Sequence, residues 1–186
     1  MLNGDWCKSI GNLLNEIDMF NIYEDKSSCN LILCKEALEA KFRGKWRETV
    51  QQKTKLRSYI LWKENFNTKT YVSLNLPRSH RSILAQIRSG ILPLEIETGR
   101  FRNIKFEDRK CKICNSESIE SVIQFLLICR PYEINRRTFF NKIGVNITEN
   151  TPNNIMKMLF SEFPRALAKF CTKLWTNRKI SLFPKT

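Results

Sequence analysis

Cys111-Lys112-Ile113-Cys114 sets two thiols across a two-residue gap, and Cys129 follows after a longer loop. That spacing lets two thiolates reach one Zn²⁺ from a tight turn, while a later segment returns further ligands to close a tetrahedron. The position where a histidine would be expected holds Gln124, whose neutral amide oxygen is a poor zinc ligand. Three good ligands of four are therefore present, and Glu120, His80, Cys171 or a water could complete the set. The competing reading makes these thiols small, partly buried hydrophobes in a site without metal.

Two cationic segments could hold phosphates. Lys41, Arg43, Lys45 and Arg47 alternate with Phe42 and Trp46, with Lys53, Lys55 and Arg57 close behind. Cations beside aromatic faces suit a single strand, where phosphates are neutralised and bases stack. Phe42 and Trp46 also stand four residues apart, a spacing that favours a helical core for both rings and leaves the charges on a solvated face. The second segment runs from Arg78 to Lys112 and includes Arg81, Arg88, Arg100, Arg102, Lys105, Arg109 and Lys110. Arg78, Arg81 and Arg88 share one face of a helical wheel, so they are expected to track phosphate oxygens.

Catalytic signatures are missing from the sequence. The four aspartates, Asp5, Asp18, Asp25 and Asp108, are scattered and form no pair able to hold two Mg²⁺ ions. There is no glycine-rich phosphate loop, no Gly-x-Ser-x-Gly elbow and no His-Glu-x-x-His, and His80 is the single histidine. The expectation is a protein that is not an enzyme and takes no small-molecule substrate.

The elements that must position these residues read as helices. Leu13, Leu14, Ile17 and Phe20 predict a short amphipathic helix near 6–20. Ser27, Ser28 and Asn30 supply cap chemistry for a second, through Leu38 and Phe42, ending near Gly44. A third covers about 53–66, and Pro77 starts a fourth carrying Ile83, Leu84, Ile87 and Ile91, which Pro93 ends. Residues 94–110 read as a loop or weak hairpin around Thr98-Gly99. Pro131 opens a helix that Gly144 closes, and the last begins near Ser161 with Pro164 in its first turn.

Length and charge bound the rest. The 186 residues, 42% hydrophobic and 27% charged, fit one ordinary folded domain with or without a terminal appendage. A net charge of +14 points to a polyanionic partner. Residues 1–40 run against that trend, with three basic and seven acidic side chains. No apolar run approaches a membrane span, Met1–Ile10 lacks signal-peptide character, and seven cysteines cannot all pair. An intracellular protein of nucleus or cytoplasm, with reduced thiols and no membrane partner, is expected.

Several stretches carry a family resemblance: Lys55-Leu56-Arg57-Ser58-Tyr59, Leu74 to Arg81, Ile96 to Phe101, Arg109 to Cys114, Ile119 through Gln124 to Cys129 and Tyr132, and Lys173 to Arg178. In order and content they resemble the C-terminal region of reverse transcriptases from non-LTR, LINE-like retrotransposons, over roughly residues 28–178. In that family the region lies downstream of the polymerase core, carries a Cys-Cys-His-Cys zinc knuckle and helps to grip template RNA or target DNA. The resemblance implies that Cys111, Cys114 and Cys129 are knuckle ligands and that Gln124 stands at the histidine position. The resulting expectation is a mainly α single domain over 28–178 with a short irregular zinc-knuckle-like segment at 111–129. An acidic helical appendage at 1–27 precedes it and a tail at 179–186 follows. Its expected role is a retroelement-derived accessory binder of RNA or single-stranded DNA without polymerase or endonuclease. The alternative is a non-catalytic remnant or protein-interaction domain.

Overall fold

The computed structural model describes residues 4–25, 30–53, 56–63, 70–146 and 150–183. It is mainly helical, as the periodicity predicts, and among the described residues its β-structure is limited to a single bridge between Lys110 and Ile119. No helix among those residues is long and apolar enough to cross a membrane. The chain divides into two compact units, Met1–Lys53 and Thr54–Thr186.

The first unit contains α1 (Gly4–Glu16), α2 (Phe20–Glu24) and α3 (Leu31–Gln52). The sequence places a boundary near residue 27, but α3 belongs with α1, because Lys41 and Lys45 both bind Glu16. Cys34 Sγ also lies 3.6 Å from Met19 Sδ. Asn30 caps α3 by accepting from the backbone N–H of Ile32 at 3.0 Å and of Leu33 at 3.4 Å. The helix does not end near Gly44. One interior glycine costs about 1 kcal/mol, too little to stop a helix whose Thr49 hydroxyl and Arg43–Glu39 pair bracket that turn. Ser27 and Ser28 lie outside the described residues.

The second unit begins with α4 (Arg57–Trp62) and α5 (Thr70–Ser73), where one helix over 53–66 was expected; Lys53 is extended, Lys63 caps α4, and 64–69 fall outside the described residues. Next come α6 (Arg78–Ser89), α7 (Glu95–Phe101), α8 (Glu133–Ile143), α9 (Pro152–Ser161) and α10 (Pro164–Leu182). α6 and α8 end on left-handed Gly90 and Gly144, a conformation that glycine adopts without a side-chain penalty. α9 is not among the expected helices although Thr151-Pro152 announces it, since the Thr151 hydroxyl accepts from the Asn154 N–H at 3.3 Å. α10 continues past residue 178 through Leu182, into the expected tail.

α10 is the central support of this unit and packs against α6, α8 and α9. Leu167, Ala168, Cys171 and Leu174 are wholly buried on it, beside Leu84, Ile87, Phe125, Met156 and Leu159 from other elements. Each such Leu, Ile, Phe or Met side chain contributes about 1.5–3 kcal/mol. Phe139 of α8 stacks flat on Phe170 of α10, with ring centroids 4.2 Å apart.

Residues 95–101 are helical rather than a loop or hairpin. The reason is non-local: the Glu120 carboxylate accepts the first α7 N–H, that of Glu95, at 2.8 Å. Gly99 in α7 has its own explanation, because a Cβ there would stand 2.7 Å from Arg109 Cγ. Arg109 is held in place by hydrogen bonds to the carbonyls of Ile104 and Ile96.

Candidate metal centre and basic surfaces

The loop from Lys110 to Cys129 is assembled from short backbone devices. The Lys110–Ile119 bridge pins both ends of the Cys-x-x-Cys turn, and Asn115 adopts a left-handed conformation immediately after Cys114. A π-helical turn, Gln124–Ile128, then delivers Cys129, whose N–H donates to the Gln124 carbonyl at 2.7 Å. Arg136 of α8 fixes the far side by donating to the Cys129 carbonyl at 2.7 Å.

These devices bring Cys111, Cys114 and Cys129 together with all three sulfurs within 4.8 Å of one another. Cys111 and Cys129 Sγ are 3.9 Å apart. Two sulfurs on one tetrahedral zinc, with Zn–S near 2.3 Å, stand about 3.8 Å apart, so the three thiols are close enough to hold one metal ion. Hydrogen bonds from Cys129 and from the backbone N–H groups of Cys114 and Ile113 draw the Cys111 thiol down to about 4, against the cost of burial. The Cys129 thiol is pushed up in turn, chiefly because it supplies that bond. A cation would relieve the second thiol of its proton.

Gln124 reaches the same cluster. It is buried, and its Nε2 donates to Cys114 Sγ at 3.2 Å. Its Oε1 is buried without a hydrogen-bond partner, an orphaned acceptor within one amide rotation of the sulfurs. A cavity of about 330 Å³ lined by Cys114, Ser116, Gln124 and Arg130 opens beside it. Among histidine, cysteine and acidic donors of the described residues, the cluster comprises the three cysteines alone. Cys171 is fully buried within α10, and His80 belongs to α6.

Glu120 is the structural neighbour of the centre. Its Oε1 lies 3.3 Å from Cys111 Sγ and 2.6 Å from Arg178 Nη1, while Oε2 accepts from Arg178 Nη2 and from the Glu95 N–H, both at 2.8 Å. Burial raises its carboxyl to about 7, and the Arg178 guanidinium opposes that rise. One side chain thus joins the cysteine loop, α7 and α10. Arg178 was visible in the sequence only as the end of a resembling motif, and nothing local marks it as the partner of Glu120.

The cations expected to bind nucleic acid sort into distinct groups. In the first unit, Lys41 and Lys45 are committed to Glu16 and Arg43 to Glu39, while Arg47 is exposed. Phe42 is half exposed, contrary to the expected core placement, and Trp46 is partly buried. In the second unit, Arg100 pairs with Glu97 at 3.4 Å, and Arg102 and Lys112 both bind Glu95. Arg102 and Lys112 stand at the lip of an apolar groove of about 1140 Å³ floored by Pro93, Trp175 and Phe183. Lys55 and the Arg57 side chain lie outside the described residues.

Arg78 and Arg81 are exposed, but Arg88 does not share their solvent face. It is 3% exposed, with its guanidinium 5.3–5.7 Å from the ring centroids of Tyr59, Tyr71 and Phe160. α4, α5 and α9 cover that end of α6, so Arg88 is a packed cation–π residue rather than a phosphate ligand. No family model, no curated protein and no solved structure matches the chain.

Proposed function

We propose that the chain is a retroelement-derived accessory module that binds RNA or single-stranded DNA, with its knuckle-like loop ordered by one zinc ion. The observation that carries the reading is the thiol cluster on a chain of net charge +14, in the order of motifs that resembles the reverse-transcriptase C-terminal region. Cys111, Cys114 and Cys129 would hold the ion, with Gln124 or water in the fourth position. The role of the ion there is a cross-link: it ties the Cys-x-x-Cys turn to Cys129 at the far end of the same loop and supplies folding free energy. The protein itself contributes no reacting group, and its role is to hold a strand.

The test is fluorescence anisotropy of a labelled single-stranded RNA titrated with reduced, zinc-supplied protein at several salt concentrations. Saturable submicromolar binding that weakens steeply with salt is expected, because each neutralised phosphate releases counterion. A second reading, a protein-interaction domain, draws on Leu31, Ile32 and Leu33, which are exposed at the start of α3. It requires that no saturable RNA binding occur at physiological salt.

A further inference from the structure

α6 and α10 contain no acidic residue, and the sequence has none over 65–94 or 163–186. The two helices pack together, and their apolar sides are buried: Ile83, Leu84 and Ile87 on α6, Leu167, Phe170 and Leu174 on α10. That burial turns a fixed set of cations to solvent. On α10, Arg165, Lys169 and Lys173 recur at every fourth position and are all exposed. At 100° per residue they span about 80° of arc, a single stripe. On α6 the exposed cations are Arg78 and Arg81.

Arg165 joins the two sets. Its Nη1 donates to the Asn75 carbonyl at 3.2 Å, which places the first turn of α10 beside the entry to α6, just ahead of Arg78. Arg100, Arg102, Lys110, Lys112 and Arg137 each have a carboxylate partner, whereas no described acidic side chain pairs with Arg78, Arg81, Lys169 or Lys173. No exposed aromatic ring lies on α6 or on the 165–173 stripe, and hydroxyls of Ser79 and Ser82 accompany the cations.

We infer that α6 and α10 together form a phosphate-tracking face for a single nucleic-acid strand, gripping its backbone without reading base or sugar. The inference rests on the nucleic-acid reading above and names the surface that performs it. Successive cations of the α10 stripe rise by about 6 Å, a step of the same order as that between phosphates of an extended strand. Without an exposed ring there is no stacking platform, so binding comes from phosphate neutralisation.

The experiment compares the full chain with Lys169→Gln/Lys173→Gln, Arg78→Gln/Arg81→Gln and a charge-matched control, Lys8→Gln/Lys142→Gln. All six side chains are exposed, and unchanged thermal melts check the fold. The probes are a labelled single-stranded RNA and a DNA of the same length and sequence, each titrated across salt. Each face variant is expected to weaken binding at least fivefold, and its plot of log affinity against log salt should be shallower by about 1.4, the loss of two contacts at about 0.7 each. The control should stay within twofold, and RNA and DNA should bind alike. Equal losses in face and control variants, or a loss confined to Arg43→Gln/Arg47→Gln on α3, would overturn the face while the nucleic-acid reading stands. A tenfold preference for RNA would overturn backbone-only contact. Failure of the unaltered protein to bind either strand would remove the nucleic-acid reading and the face with it.

Discussion

Glu120 and Arg178, 58 residues apart in the chain, form an ion pair that is almost wholly withdrawn from water, with Nη1–Oε1 at 2.6 Å and Nη2–Oε2 at 2.8 Å. The pair carries more than its own attraction. The same carboxylate supplies the cap of α7 and touches Cys111, so its orientation sets the junction between the cysteine loop and the central helix.

Removing one partner strands the other charge in the core. Arg178→Met should cost about 3–5 kcal/mol in urea denaturation of the second unit. Adding Glu120→Gln, which keeps an acceptor for the Glu95 N–H but sheds the charge, should recover most of that loss. A double variant as unstable as the sum of the single changes would show that the two residues act independently.

Gln124 reaches the thiol cluster through its hydrogen bond to Cys114. Zinc measured after anaerobic purification should approach one per chain, and Cys129→Ser should abolish it. Gln124→His should tighten zinc binding at least about tenfold, since changes to mere outer neighbours of a metal already move affinity by that much. The comparison is a competition titration with a chromophoric chelator, and equal affinity for both proteins would mean that position 124 does not face the ion.

Arg88 separates packing from binding. Arg88→Ala removes the stem and cation from beneath three rings and should lower stability by about 2–4 kcal/mol. Assayed well below its melting temperature, the same variant should keep RNA affinity within twofold. A large loss of affinity with little loss of stability would return Arg88 to the binding surface.

Glu95 gives the fold an acid-sensitive contact. Burial works to raise its carboxyl, but Lys112 and Arg102 outweigh that and hold it below the usual value of 4.5. A depressed folded-state value contributes stability that is present above the unfolded value and is lost as pH falls through the folded one. The stability difference between the unaltered protein and Glu95→Gln should therefore be full near neutrality and shrink on acidification below about 4.5. Taking that difference in melting temperature across pH cancels acid release of any bound metal. A difference that stays constant to pH 3 would mean that the charge of the Glu95 carboxylate contributes nothing.

Local chemistry alone determined much of this protein. Apolar residues at helical spacing announced α1, α6 and α10, Asn30 announced the start of α3, and Pro131 and Gly144 bracketed α8, because periodicity and caps act within a few residues of chain. The Cys-x-x-Cys turn with a later third cysteine likewise displayed the thiol cluster, since the turn sets two of the sulfurs by itself. Tertiary structure decided what depends on distant partners. Residues 95–101 became a helix because Glu120 caps them from 25 residues downstream. Arg88 left the solvent face because α4, α5 and α9 converge on it, and Phe42 stayed exposed because i, i+4 spacing specifies which residues share a stripe and not whether anything packs against it. A charged or aromatic side chain is buried or solvated according to its neighbours in space, and those neighbours come from parts of the chain that no local pattern connects.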